Sequence, residues 1–196
     1  REMQIESKKI DGAIRTLIEL TGPEELKGQS FLFAENEDGS DDVWMYVPAF
    51  EVTRRIEGSK KQGAFLGSHF TYNDLEARDV AQANYDKRGD ETIGDNEVHV
   101  IEAEPKKAAQ SEYGKILVYI RKSDEVPLKF KFYDDSDELV KTLFVEKLDE
   151  NDDGETYIKR MQMRSEKGGY TRIVVESIAE GGETPDATFT KQQLGK

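Results

Sequence analysis

The stretch at residues 113–133, YGKILVYIRKSDEVPLKFKFY, decides the fold class. Ile116, Val118 and Ile120 alternate with Leu117 and Tyr119, which is the two-residue period of a strand rather than the 3.6-residue period of a helix. Residues 122–127 are turn-like in composition, and the alternation resumes at 128–133. Downstream, residues 138–147, 156–164 and 170–177 read as further strands, separated by the polar stretches 134–137, 149–154 and 166–169. Short strands joined by turns at this pace predict an antiparallel meander. Upstream, the same reading gives strands at 13–20, 31–33, 43–47 and 98–103, with 35–42, and Asp38-Gly39 within it, as a hairpin turn. Helix signals are poor: residues 71–78, capped by Thr71 or Asn73, and residues 185–194 are the two short candidates.

Two strands carry apolar residues on both faces. Trp44 and Tyr46 oppose Val43, Met45 and Val47, and the 116–120 strand does the same. A sheet with one wet face does not need this. Helices, a second sheet or a bound apolar ligand must cover both sides.

Composition narrows the function. The 196 residues contain 28 Lys+Arg against 41 Asp+Glu, a net charge of −13, with 36% hydrophobic residues and no Cys. The length predicts one domain, residues 1–196, with no repeat or low-complexity linker to divide it. The absence of Cys excludes disulfide scaffolds, thiol catalysis and Cys-based zinc sites, and His69 and His99 alone cannot make a poly-His centre. No cofactor is implied. An acidic chain opposes phosphate backbones, so nucleic acid is not an expected partner. The longest nearly apolar run, 43–50, contains Pro48 and is far short of the ~18 residues that span a bilayer.

Motifs for chemistry fail one by one. Asp149, Asn151, Asp153 and Gly154 match the first half of an EF-hand loop, but the twelfth position is Arg160 rather than Glu, and the flanks are strand-like. This is a solvated hairpin turn. Ser68-His69 lacks a nucleophile elbow, and adjacent strand residues point apart. No catalytic set is present, and the expectation is a protein that is not an enzyme.

Two segments are more distinctive. One is Trp44-Met45-Tyr46-Val47-Pro48, running into Phe50 and the basic pair Arg54-Arg55. The other is the Gly/aromatic stretch 63–75, GAFLGSHFTYNDL. Phe65, Phe70 and Tyr72 supply large apolar area, and Gly63 and Gly67 let the backbone turn tightly. Two readings stand side by side: a core corner with a helix packed on it, or one wall of a hydrophobic cavity.

The Trp-Tyr-Pro strand, the Arg54-Arg55 pair and the stretch 67–75 resemble the outer-membrane lipoprotein-sorting protein family, relatives of the periplasmic lipoprotein carrier LolA and its receptor LolB. The likeness continues through Val118, Ile120, Pro127-Leu128, Tyr133-Asp134 and Leu139-Val140-Lys141, and ends with Phe189-Thr190 and Leu194. His69 departs from it, since the family pattern favours Asp there. The family's usual N-terminal signal and first helix are missing before Arg1. The resemblance implies a mainly β protein with a few helices (α+β): an unclosed, curved antiparallel β-barrel, a LolA-like half-barrel covered by short helices.

It also implies a periplasmic carrier or chaperone for a lipid or an acylated lipoprotein, held in an apolar half-barrel cavity for envelope transport or sorting. On this reading the cavity wall draws on Leu32, Phe33, Trp44, Tyr46, Phe65, Phe70 and Tyr72. Arg54 and Arg55 would contact an anionic headgroup or a partner, or else form surface ion pairs. Which alternate residues point inward depends on register. The alternative is a non-enzymatic periplasmic adaptor for a resistance-nodulation-division (RND) type envelope transporter, its interior filled by its own side chains.

Overall fold

The computed structural model describes residues 1–36, 41–76, 80–109 and 111–196. Strands β1 (Glu2–Ile10), β2 (Ala13–Gly22), β3 (Ser30–Glu35), β4 (Asp41–Val47) and β5 (Val52–Ile56) form a five-stranded antiparallel sheet in sequence order. Strands β6 (Ala83–Ile93), β7 (Asn96–Pro105), β8 (Lys115–Arg121), β9 (Pro127–Tyr133), β10 (Leu139–Glu150), β11 (Thr156–Ser165) and β12 (Tyr170–Val174) form a seven-stranded one, again in sequence order. Neither sheet closes, since β1 does not pair with β5 nor β6 with β12. Register slips at Arg88 and Glu146 put an extra residue into β6 and β10, which bends those strands. The expected open, curved antiparallel β architecture is therefore present.

The helical content differs from the expectation. Among the described residues it consists of 3-10 turns of three to five residues. The 71–78 candidate shrinks to Asn73–Leu75, because Glu76 is already extended; residues 77 and 78 lie outside the described chain. The 185–194 candidate becomes two turns, Asp186–Thr188 and Lys191–Gln193, separated by the extended Thr190. Segments this short cannot repay helix nucleation, and β-branched Thr188 and Thr190 add to the cost. The Asp38-Gly39 turn lies outside the described residues, although Glu35 opposite Asp41 confirms the hairpin that it joins.

The chain forms two compact units, one of Arg1–Gly63, Tyr72–Arg78 and Gly182–Lys196, the other of Ala64–Thr71 and Asp79–Gly181. In the first, alternation sorts the five-stranded sheet into two apolar faces. Ile18, Leu20, Phe31, Phe33 and Val43 are buried on one, where Tyr72 packs its ring 6.1 Å from that of Phe31. Burial raises the Tyr72 phenol above its usual range. Leu17, Leu32, Trp44 and Tyr46 occupy the other face.

The C-terminal segment covers that second face. Phe189, 1% exposed, and Leu194 pack against Leu32, with Ile10, Leu17, Trp44 and Tyr46 around them. Lys191 places its ammonium 4.1 Å from the centre of the Trp44 ring. Gly195 lies so close to Tyr46 that a Cβ there would fall 2.3 Å from the ring. Lys8 donates to the Thr184 carbonyl at 2.8 Å and pairs with Asp186 at 2.6 Å, tying the start of the segment to β1.

Candidate functional site

The strongest candidate lies in the second unit. Directly opposed residues share a face, so the pairing register of the seven-stranded sheet can be read as rows. One row runs Ile101, Val118, Phe130, Leu143, Met163, Thr171. A neighbouring row runs Ala103, Ile116, Phe132, Lys141, Ser165. Val145, Met161 and Ile173 extend the apolar surface on the other side.

Met163, Ile116 and Phe132 are buried, but Ile101, Val118, Phe130, Leu143, Val145 and Met161 are only half-buried. The result is a broad apolar face, six strands wide, whose middle is only half-buried. Phe130 and Phe132 stack at 6.3 Å, and Tyr113 packs on Phe132 at 4.9 Å. Lys141, 7% exposed, sets its ammonium over both Tyr113 (5.0 Å) and Phe132 (5.4 Å). A further row of this face turns polar at its β6 end: Asp90 opposes His99, which opposes Ile120. Asp90 receives Lys122 at 2.9 Å, Lys87 at 3.0 Å and His99 at 2.8 Å, which together hold its carboxyl well below the usual range.

The opposite face has a core of its own, Val98, Val100 and Tyr119 with Ile93, Leu117 and Leu128 packed around them, and charged side chains at its margin. Lys129 and Lys131 lie over Tyr119, Arg164 lies over Phe144, and Glu146 is gripped by Arg160 and Arg172. The strict alternation of Lys129-Phe130-Lys131-Phe132 produces both faces at once.

The Gly/aromatic loop is fixed to the apolar face at its Thr171 end. The Phe65 N–H donates to the Phe70 carbonyl at 2.7 Å, and Ala64 bridges Thr71. Leu66 and Gly67 have φ of 51° and 69°; Gly67 adopts this left-handed conformation without the strain that Leu66 bears. The His69 N–H donates to the Thr171 hydroxyl at 3.0 Å, with its ring Nδ1 2.9 Å from the same oxygen. Thr71 donates to Glu112 at 2.8 Å. Ser68 accepts from the Phe70 N–H at 3.1 Å, so Ser68 and His69 serve different partners rather than one another.

The residues singled out from the sequence are thus distributed. Leu32, Trp44 and Tyr46 share one face of the five-stranded sheet, beneath the C-terminal segment. Phe33 and Tyr72 belong to the opposite face of the same unit. Phe65 and Phe70 are buried in the loop of the second unit. Arg55 lies over Trp44 at 5.8 Å and pairs with Asp42 and with Glu57, whereas Arg54 is exposed and has no ion pair among the described residues. Sequence reasoning did not select Ile101, Phe130, Leu143 or Met161. The signal was the doubly apolar 116–120 strand, since its neighbours in a meander must share its apolar face. Among the described residues no cluster could hold a metal ion, and no helix is long and apolar enough to cross a membrane.

Comparison with known proteins places the chain. A domain from Vibrio parahaemolyticus described as an outer membrane lipoprotein-sorting protein is 28% identical, with a TM-score of 0.93 over 99% of this chain and 83% of its own. A DUF1329 family protein from Desulfovibrio piger is 26% identical, with a TM-score of 0.85 over 98% and 82%. A LolA superfamily protein from Nitrosomonas europaea shares the fold at 22% identity, with a TM-score of 0.65 over 93% and 81%. No curated protein matches. A family model described as "-like: Uncharacterized protein" matches residues 12–196. The chain therefore belongs to that family; the outer-membrane lipoprotein-sorting domain and the DUF1329 protein are among the solved proteins it is similar to, and the LolA-superfamily protein shares its fold.

Proposed function

We propose that this protein is a periplasmic carrier, and not an enzyme, that shelters a lipid or the acyl chains of a lipoprotein on the apolar face of the seven-stranded sheet. The observation that carries this reading is the half-buried row Ile101, Val118, Phe130, Leu143, which leaves aliphatic and aromatic surface open in a chain of net charge −13. The lipoprotein-sorting description of the Vibrio relative points the same way. Each buried CH₂ contributes about 0.8 kcal/mol, so about ten methylenes give on the order of 8 kcal/mol before the costs of association. Holding on that scale is reversible, as a carrier requires. Phe65 and Phe70 support the loop at the Thr171 end, and Arg54, in the first unit, is the cation of the basic pair that remains available to a partner.

The adaptor reading rests on a different observation: the Leu32, Trp44 and Tyr46 face is filled by the protein's own Phe189 and Leu194. Native mass spectrometry separates the two. Gently purified carrier should bring a stoichiometric fatty acid, phospholipid or acylated peptide with it. Phe130→Ala should reduce that occupancy about tenfold, with Lys159→Ala as the unaffected control. A clean apo mass, unchanged after incubation with phospholipids and lipopeptides, would overturn the carrier and favour the adaptor.

A further inference from the structure

A second feature of the seven-stranded sheet lies outside that apolar face. β10 pairs with β9 only as far as Phe144 opposite Lys129, yet it runs on to Glu150. From Val145 onward its rungs go to β11 alone. Two local causes end the pairing with β9. Pro127 opens β9 without an N–H to donate, and the slip between Val145 and Lys147 leaves Glu146 as a bulged residue. What remains is an unpaired strand edge in the interior of a sheet rather than at its rim.

A groove of about 400 Å³ runs along this edge. Ile93, Leu128, Phe144 and Leu148 supply its apolar lining, and Lys129 and Lys147 its cations. The other charges there are already engaged: Glu146 by Arg160 at 3.0 Å and Arg172 at 2.8 Å, and Arg121 by Asp124 at 2.7 Å. Lys129 and Lys147 have no ion pair among the described residues. Burial and the nearby Lys131 lower the Lys129 pKa against the opposing pull of Glu91, and its ammonium lies 3.8 Å from the centre of the Tyr119 ring. The groove thus offers backbone hydrogen-bonding groups, apolar contacts and two cations outside any ion pair among the described residues, in a strongly acidic chain.

We propose that this notch binds an extended acidic peptide segment by strand addition to β10. The segment's backbone would complete the rungs at 145–150, alternate side chains would enter the Ile93, Leu128, Phe144 and Leu148 lining, and its carboxylates would meet Lys129 and Lys147. The unpaired backbone edge favours a peptide over an anionic lipid, since an acyl chain leaves those rungs unmade. The site does not depend on the carrier reading, because Phe130 belongs to another face.

The test uses the full chain and fluorescein-labelled peptides of alternating valine and threonine with a glutamate near each end. One counterpart carries lysine for glutamate, and another a central proline. Fluorescence anisotropy should show the acidic peptide binding about tenfold or more tightly than either counterpart. Hydrogen exchange should show the amides of 145–150 becoming protected. The variant Lys147→Glu, at an exposed position, should weaken binding about tenfold with an unchanged thermal midpoint, and Phe130→Ala should leave peptide binding intact. Equal binding of all three peptides, protection elsewhere in the chain, or no binding up to about 1 mM would overturn the proposal. So would displacement of the acidic peptide by stoichiometric oleate, which would make the groove a site for anionic lipid.

Discussion

Asp41 opens β4 opposite Glu35, with Asp42 beside it and Glu76 close by. Burial, reinforced by Glu76, Glu35 and Asp42 against the opposing pull of Lys61, pushes its carboxyl up to about 7. Lys61 is not a dedicated counter-ion, since it pairs with Glu76 at 2.8 Å and donates to the Asp41 backbone carbonyl. The sign follows from linkage. A carboxyl with a raised folded pKa binds its proton more tightly in the native state, so its stabilisation is complete below about pH 4 and is lost as pH rises to about 7. Asp41→Asn should therefore raise stability at pH 8 by about 1 kcal/mol, once solvent screening is allowed for, and change little at pH 4. Urea unfolding at the two pH values checks this; equal effects at both would refute the assignment. At the same scale, the sequence showed that Leu32, Phe33, Trp44 and Tyr46 belong to apolar strands but not which way each faces. Leu32 and Phe33 are neighbours and necessarily point apart. The partner that covers Leu32 is Phe189, too distant in sequence for any local signal to announce it.

At the scale of elements, legibility followed position in the sheet. The strands recovered from alternation, β2 to β4 and β7 to β12, include all of the interior ones. The strands missed were β1, β5 and β6, and each is an edge. β6 reads ANYDKRGDETI, almost wholly polar, with a bulge before Gly89. Charge and bulges on an edge deter pairing with other chains, and the same features erase the hydrophobic period on which the reading depends. The C-terminal segment was legible only in its two apolar anchors, Phe189 and Leu194. Its role as a cover makes a definite prediction. Phe189→Ala removes a fully buried ring from the Leu32 cluster and should cost about 3 kcal/mol or more. Trp44, the only tryptophan, lies beneath the same segment, so its emission should shift to the red as water gains access. An unshifted emission together with full stability would show that the segment does not cover this face in solution.

At the scale of the whole molecule, the chain passes back and forth between its two units, and neither unit is a continuous stretch of sequence. The five-stranded unit is completed only by Gly182–Lys196, which follow all of β6 to β12 in the chain. Its Leu32, Phe189 and Leu194 cluster therefore joins the two ends of the protein across the whole seven-stranded sheet in sequence. Unfolding β6 to β12 releases the restraint on the position of Phe189, and the closure entropy of so long a loop is then lost to the first unit as well. In the other direction, losing Phe189 from the first unit leaves β12 attached to a free tail. We therefore propose that residues 1–196 fold as one cooperative domain, the organisation that the length of the chain implied. Trp44 emission reports the first unit, and amide exchange across 98–120 reports the second. Their urea transitions should share one midpoint and one slope. Two separated midpoints would mean that the interleaved connections do not couple the units, which then unfold as independent domains.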